Sequence, residues 1–467
     1  MDTTVTRLAE FIAGVTYDDL PQEVVTATKW LLLDCFGCTV AGVISEKGKW
    51  GLDFTRRFFP APPQATVLGF GDKLSAFGAA FTNAELMNGL DYEPSNKHLP
   101  PFVVPASLAV AEMNHSSGRD FILATAAAHE VGTRIGNVLG DFRALKSDGG
   151  FGLPPVTGYG FSIFAGVAGA AMLEGMSAEE SAQALGLGGV MSIVNSQTPM
   201  HINVPITTAK YLMSGQACQT ALAAAYLVKS GHRGDVSILD GEFGYWRLMG
   251  AVRWDAEEVL SDIGREWRFV RGIPFKQYPC CRMFHGGLDC LQTVMLDNAI
   301  KPEDIEKIHL YLEPTCIEPV FHNRHIENQS DAQFSTAFNT AVVAYGVKPG
   351  VEWASEATMK NPDILRLMDK ITFEPHPSFS DALKKDPHAR LSGATVTAGG
   401  REFYAETTFI KGTYGDVHGL SDDELIAKFR DCAGVALPQN KVDAACDMLL
   451  DLENTGDICE LIGLLHV

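Results

Sequence analysis

Four short segments place ionisable and hydroxyl side chains inside otherwise apolar text, and each could do proton-transfer or carboxylate chemistry. In NGLDYEPSNKHLPPFVVPA, Asp91, Ser95, Lys97 and His98 sit in a polar stretch that runs into Pro100, Pro101 and Pro105. An acid, a hydroxyl, an ammonium and an imidazole on a loop between two buried helices could form a site, or could be a cap and a solvated loop. KSDGGFGLPPVTGYG is a glycine-rich approach to an apolar helix. Backbone N–H groups at such a helix start can hold a carboxylate, although a plain loop reads equally well. In QTPMHINVPITTAKYLMSGQ, His201 and Lys210 precede an Ala-rich helix, where a lysine is either partly desolvated and poised for acid/base work or snorkelling. Finally, IPFKQYPCCRMFHGGLDC places Lys276, Tyr278, Arg282 and His285 within ten residues. Three cations and a phenol would suit a polyanionic small molecule, and otherwise form a charged linker.

The elements around these segments are mostly helical. Up to about residue 265, apolar residues recur at three- and four-residue spacing, with Ala and Gly often replacing bulky groups, which predicts close-packed helices. After Phe269 the texture changes. DIEKIHLYLEP and MDKITFEPH alternate like strands, AQFSTAFNTAVVAYG is helical, and RLSGATVTA and REFYAETTF form a hairpin through Gly399 and Gly400. LSDDELIAKFRDCAG, with Ser421 as N-cap, and NKVDAACDMLLDLEN return to helix. The expected fold class is mainly α: a large all-α domain formed by both chain ends, residues 1–268 and 411–467, with a smaller α+β lid domain over 269–410.

Composition narrows the function. The 467 residues carry 37 Lys+Arg against 57 Asp+Glu, a formal charge of −20. Such a surface repels a phosphate backbone, and no basic stripe offsets it, so no nucleic-acid partner is expected. The start of the chain lacks the basic and unbroken apolar regions of a secretory signal, and 160–172 falls short of the ~20 residues that span a bilayer. The expectation is a cytoplasmic protein with no membrane partner. Ten cysteines, with Cys35 and Cys38 as the one CxxC, read as buried thiols and make neither a disulfide scaffold nor a zinc pattern. No metal and no cofactor are expected. The absence of GxSxG, HExxH, EF-hand and kinase motifs removes the commonest hydrolase, zincin, calcium and phosphoryl-transfer readings.

At the same four segments the chain resembles the MmgE/PrpD family of 2-methylcitrate dehydratases, cis-aconitate decarboxylases and iminodisuccinate epimerases. NGLDYEPSNKHLPPFVVPA is similar to the family's DFDDTH…HPSxxVxPA region, GFGLPPVTGYGFSIFAGVAGAA to its GFHPTGTxGxxGAAAAA, and FKQYPCCRMFHGGLD to its KPYPxCRxxHxAxDA. The run from Lys210 through Gly231 matches its lysine-bearing helix. The resemblance extends end to end. It implies a helical domain built from both chain ends, a smaller lid and a homodimer. Carried over residue by residue, the family's catalytic aspartate falls at Asp91, its threonine at Ser95, its loop histidine at His98 and its lysine at Lys210.

Two positions depart from the decarboxylases, with Gly152 in place of a histidine and Phe338 in place of a lid tyrosine. A pocket widened at Gly152 and lined by Leu153 and Phe338 would suit an alkyl-bearing acid. The expected activity is therefore a hydro-lyase, cofactor-independent, dehydrating a 2-methylcitrate or 2-alkylcitrate to the alkyl-aconitate. His98 and Asp91 would be the base and its orienting partner, and Lys210 would neutralise developing enolate-like charge. Lys276, Arg282 and Tyr278 would clamp the remaining carboxylates of this polycarboxylate, with His201 and His285 also at the binding site. A decarboxylase or epimerase of a related acid is the alternative within enzymes, and an inactive carboxylate-binding member the alternative outside them.

Overall fold

The computed structural model describes the chain except for residues 1, 96, 140–157, 193–196, 212, 252, 272 and 413–417, and the side chains of 197 and 198. Twenty-one α-helices and two small sheets among the described residues make the protein mainly α. Many helices start where the sequence supplies a hydroxyl cap followed three residues on by an acid. Ser117 with Asp120, Ser177 with Glu180 and Ser421 with Glu424 each form the reciprocal capping box that satisfies two backbone N–H groups at once.

Helices Pro100–Met113, Gly118–Val138, Ser162–Leu173, Ala178–Met191 and Ser214–Lys229 share one apolar core. Small residues let them approach closely: a Cβ on Gly169 would stand 2.3 Å from Ser107 Oγ, and one on Gly166 2.9 Å from Phe102 O. Helix Gln22–Ala41 is buried along almost its whole length. With its following turn it is long and apolar enough to cross a membrane by length and composition, but it lies in a second core together with Asp422–Ala433 and Gln439–Leu450. Early and late segments of the chain thus share a core. Cys35 is buried in it as a thiol, and Cys38 in a small cluster beside it with Leu90, Tyr92 and Cys432.

A third core gathers buried apolar residues between Tyr278 and Val396 around a four-stranded sheet. Strand Ile305–Leu312 pairs in parallel with Ile371–Pro375 and antiparallel with Ser392–Ala398, which pairs with Arg401–Thr407. The last two strands turn through Gly399 and Gly400 at φ +57° and +68°, the left-handed pair that a two-residue hairpin requires. Helix His285–Asp297 covers the inner face of this sheet. Met200, Ile206 and Tyr211 from the first half of the chain reach into the same core, so the segment carrying Lys210 borders both halves.

Candidate active site

The loop after helix Ala76–Met87 holds the centre of the site. It turns at Asn88 and Gly89, reaches Asp91, and is stopped by Pro100 and Pro101, which open the next helix. Seven non-glycine residues among those described have φ in the left-handed region, and Asp91, Lys97, His98 and Lys210 are four of them, at +47° to +54°. Each such residue costs on the order of 1 kcal/mol or more and persists only where surrounding contacts fix it. Three of the sequence-predicted catalytic residues therefore carry this strain, Asp91 and His98 in this loop and Lys210 ahead of helix Ser214–Lys229.

Asp91 is fully buried between two ammonium groups. Lys276 Nζ donates to Asp91 Oδ2 at 2.8 Å and to its backbone O at 2.7 Å. Lys210 Nζ stands 3.9 Å from Oδ1 and donates to Asn88 O at 2.6 Å. Tyr211 hydroxyl reaches Oδ2 at 3.5 Å. Burial opposes the charge of Lys276, yet Asp91 and Glu93 outweigh it and raise the ammonium above its ordinary value. Lys210 lies further from its counter-charge, and burial pushes it down to about 8, Asp91 only partly compensating.

His98 packs between aromatic rings, Tyr211 at 4.1 Å and Tyr159 at 4.9 Å between centroids. Burial lowers its value below the ordinary 6.5, so the imidazole is neutral at pH 7. The carboxylate beside it is that of Glu93, whose Oε1 lies 3.6 Å from His98 Nδ1, while Asp91 is bonded to Lys276. Glu93 is also fully buried and accepts from Asn88 Nδ2 at 2.7 Å. Burial disfavours its charge, but His98, Lys276 and Lys210 hold it well below the usual carboxylate range.

Further buried charges anchor this cluster. Lys47 donates to Asn88 Oδ1 at 2.7 Å and pairs with Glu85 at 3.4 Å. Lys428, from helix Asp422–Ala433, lies 2.7 Å from Asp34 and donates to Tyr92 O at 2.8 Å and Lys276 O at 3.0 Å, its ammonium 3.9 Å from the centre of the Tyr92 ring. One late side chain therefore clips together the backbones that carry both partners of the Lys276–Asp91 pair.

The structure thus brings Asp91, His98, Lys210 and Lys276 together. Ser95 is tied to the segment leading to Lys276, its N–H donating to Pro274 O at 2.9 Å. The other sequence-predicted residues are held by other partners or are not described. Tyr278 donates to Asp289 Oδ1 at 2.9 Å and stacks on Trp353, and His285 lies against Tyr278 with Nε2 3.4 Å from Cys280 O. Arg282 opens the turn into helix His285–Asp297. His201 packs on Phe321, and burial pushes it down to about 4. Phe338 is buried in the third core, and the ring that meets Tyr211 is Phe334, one turn earlier. Gly152 and Leu153 lie outside the described residues. Lys276 already holds Asp91, so clamping a substrate carboxylate would require it to rearrange.

Sequence reading missed Glu93, Asn88, Tyr211 and Tyr159. The D-x-E spacing of Asp91 and Glu93 was the available signal for the first.

A buried acid between two ammonium groups, beside a neutral imidazole, is a side-chain set for moving protons on a carboxylate-bearing molecule. The MmgE/PrpD N-terminal domain matches residues 6–255 and the MmgE/PrpD C-terminal domain residues 278–453. The chain belongs to the MmgE/PrpD family. It is 24% identical to a cis-aconitate decarboxylase of Aspergillus terreus, over 98% of this chain and 95% of that protein. A cis-aconitate decarboxylase of Homo sapiens is also 24% identical, over 98% and 93%. A cis-aconitate decarboxylase-like protein of Aspergillus oryzae is 22% identical, over 98% and 96%.

Proposed function

We propose that this protein is a lyase that uses its own side chains to move protons beside a carboxylate of a small tricarboxylate, and that it dehydrates 2-methylcitrate or a longer 2-alkylcitrate. The observation that supports this reading most is the pairing, in one buried cluster, of a neutral imidazole, His98, with an ammonium of lowered proton affinity, Lys210. Dehydration needs both a base and an acid. His98 takes the proton from carbon, the C–O bond breaks, and Lys210 gives its proton to the departing hydroxyl, which leaves as water. Lys276 holds Asp91 between the two ammonium groups, so charge developing on the substrate meets fixed partners with little reorganisation.

Decarboxylation of a cis-aconitate-type acid is the second reading, and the similarity to cis-aconitate decarboxylases favours it. It needs a proton donor at carbon as carbon dioxide leaves, a role open to Lys210. The sequence-based argument against it draws no support from the structure, because Gly152 is not among the described residues and Phe338 packs within the third core.

Proton NMR in deuterated buffer, with 2-methylcitrate, a longer 2-alkylcitrate and cis-aconitate offered separately, tests both. Formation of an alkyl-aconitate supports the dehydratase. A terminal-methylene diacid from cis-aconitate establishes the decarboxylase and overturns the first reading. Deuterium exchange without loss of substrate indicates an epimerase, and thermal stabilisation by these acids with no reaction indicates an inactive binder.

A further inference from the structure

The carboxylate that stands against His98 Nδ1 is that of Glu93, not that of Asp91 two positions before Glu93. Two buried atoms lack a hydrogen-bond partner among the described residues and lie on facing groups: Glu93 Oε2 and His98 Nδ1. Glu93 Oε1, at 3.6 Å from Nδ1, is just beyond hydrogen-bond reach, and a small turn of the carboxylate closes the gap. Leaving both atoms unpaired in a dry interior is costly, so pairing is the state that the surroundings favour. The carboxylate is pre-aimed, because Asn88 Nδ2 grips Oε1 and Lys47 grips Asn88. The imidazole is pre-aimed as well, by the Tyr211 and Tyr159 rings and by the left-handed backbone of Lys97 and His98. Asp91 cannot fill this role while Lys276 chelates it.

We propose that Glu93 is the positioning residue of the site: its carboxylate receives the Nδ1 proton of His98, fixes that tautomer, and leaves Nε2 with the lone pair that meets the substrate. An imidazole is a one-sided base only when its other nitrogen is committed, and a buried carboxylate commits it while stabilising the imidazolium formed on proton transfer. The kinetic part of this inference rests on the proton-transfer reading above; the structural part does not.

The charged groups that bear on His98 are Glu93, Asp91 and Lys276, with the phenols of Tyr159 and Tyr211 on its faces. Glu93→Gln keeps the shape and removes one negative charge. In protein labelled with ¹⁵N-histidine, with the His98 signals assigned by their loss in His98→Gln, the His98 titration should move down by about one pH unit. The single Nδ1–H tautomer should also give way to a mixture. In turnover, kcat should fall on the order of 10²-fold with KM little changed, and the acid limb of the rate profile should move to lower pH. Glu93→Asp, which keeps the charge, should restore the position of that limb, and Glu93→Ala, which removes it, serves as the titration variant if Glu93→Gln does not fold. An unchanged His98 titration and tautomer in Glu93→Gln overturns the proposal. If no acid is turned over, the kinetic arm falls with the proposed function, while the ¹⁵N arm still decides the role of Glu93.

Discussion

Lys210 holds a proton that its burial has loosened, and His98 has already given its own up at neutral pH. With His98 as base and Lys210 as acid, the rate should rise with pH as His98 deprotonates below 6.5 and fall as Lys210 deprotonates near 8. A kcat/KM profile of the free enzyme reads both limbs. His98→Ala and Lys210→Ala should each lower turnover on the order of 10²-fold or more, measured by product formation at pH 7. Lys276 has a different weight. Lys276→Met leaves Asp91 buried without its bonded counter-ion and should cost about 3–5 kcal/mol in chemical denaturation, much of it regained in the double variant with Asp91→Asn. The types of these residues are visible in the chain, and Asp91, His98, Lys210 and Lys276 stand out because each interrupts apolar text. Their pairing is not visible: Lys276 and Asp91 are 185 positions apart, and nothing local says that Glu93 rather than Asp91 will face the imidazole.

Elements place these residues by touching at points where no side chain fits. At the end of helix Gln22–Ala41, a Cβ on Gly42 would stand 2.2 Å from the carbonyl oxygen of Leu86, just before the loop that carries Asp91. Gly42 has ordinary helical torsions, so the obstacle is contact alone. Gly42→Ala should destabilise the fold by about 1–3 kcal/mol and lower kcat more than a distant overpacking would, because the displaced backbone leads to Asn88 and Asp91. Thermal unfolding and turnover on one preparation separate the two effects. At this scale much was legible. The Gly399–Gly400 hairpin, the strand Ile305–Leu312 and the helix capped by Ser421 follow from alternation and cap chemistry. The segment read as one helix, AQFSTAFNTAVVAYG, is broken at Ser335, whose hydroxyl accepts the N–H of Phe338 and starts a second helix. A serine that competes for backbone donors can end a helix that apolar spacing alone would continue.

For the molecule as a whole, acid is the predicted weakness. Burial pushes His129 down to about 4, whereas in the unfolded chain it titrates near 6.5. Between those values the unfolded state binds more protons, so stability rises with pH across this window. His129 alone should withdraw on the order of 3 kcal/mol as the pH falls from 7 to 4. Denaturation curves at pH 5 and 7 should show about 2 kcal/mol of this loss, and His129→Gln should shrink it. The helical majority and the change of texture after Phe269 were legible because periodicity is local. That early and late segments would share a core was expected from the return to helix after residue 411 and from the family resemblance; which residues meet there was not legible, because tertiary contact leaves no local signal. That sharing has a temporal side. Lys428 clips Tyr92 and Lys276 together and also meets Asp34, so a chain emerging from the ribosome displays all three long before the ammonium that joins them has been synthesised. These contacts close only when translation has passed residue 428, and until then the growing polypeptide lacks the clip between the backbones that lead to Asp91 and Lys276.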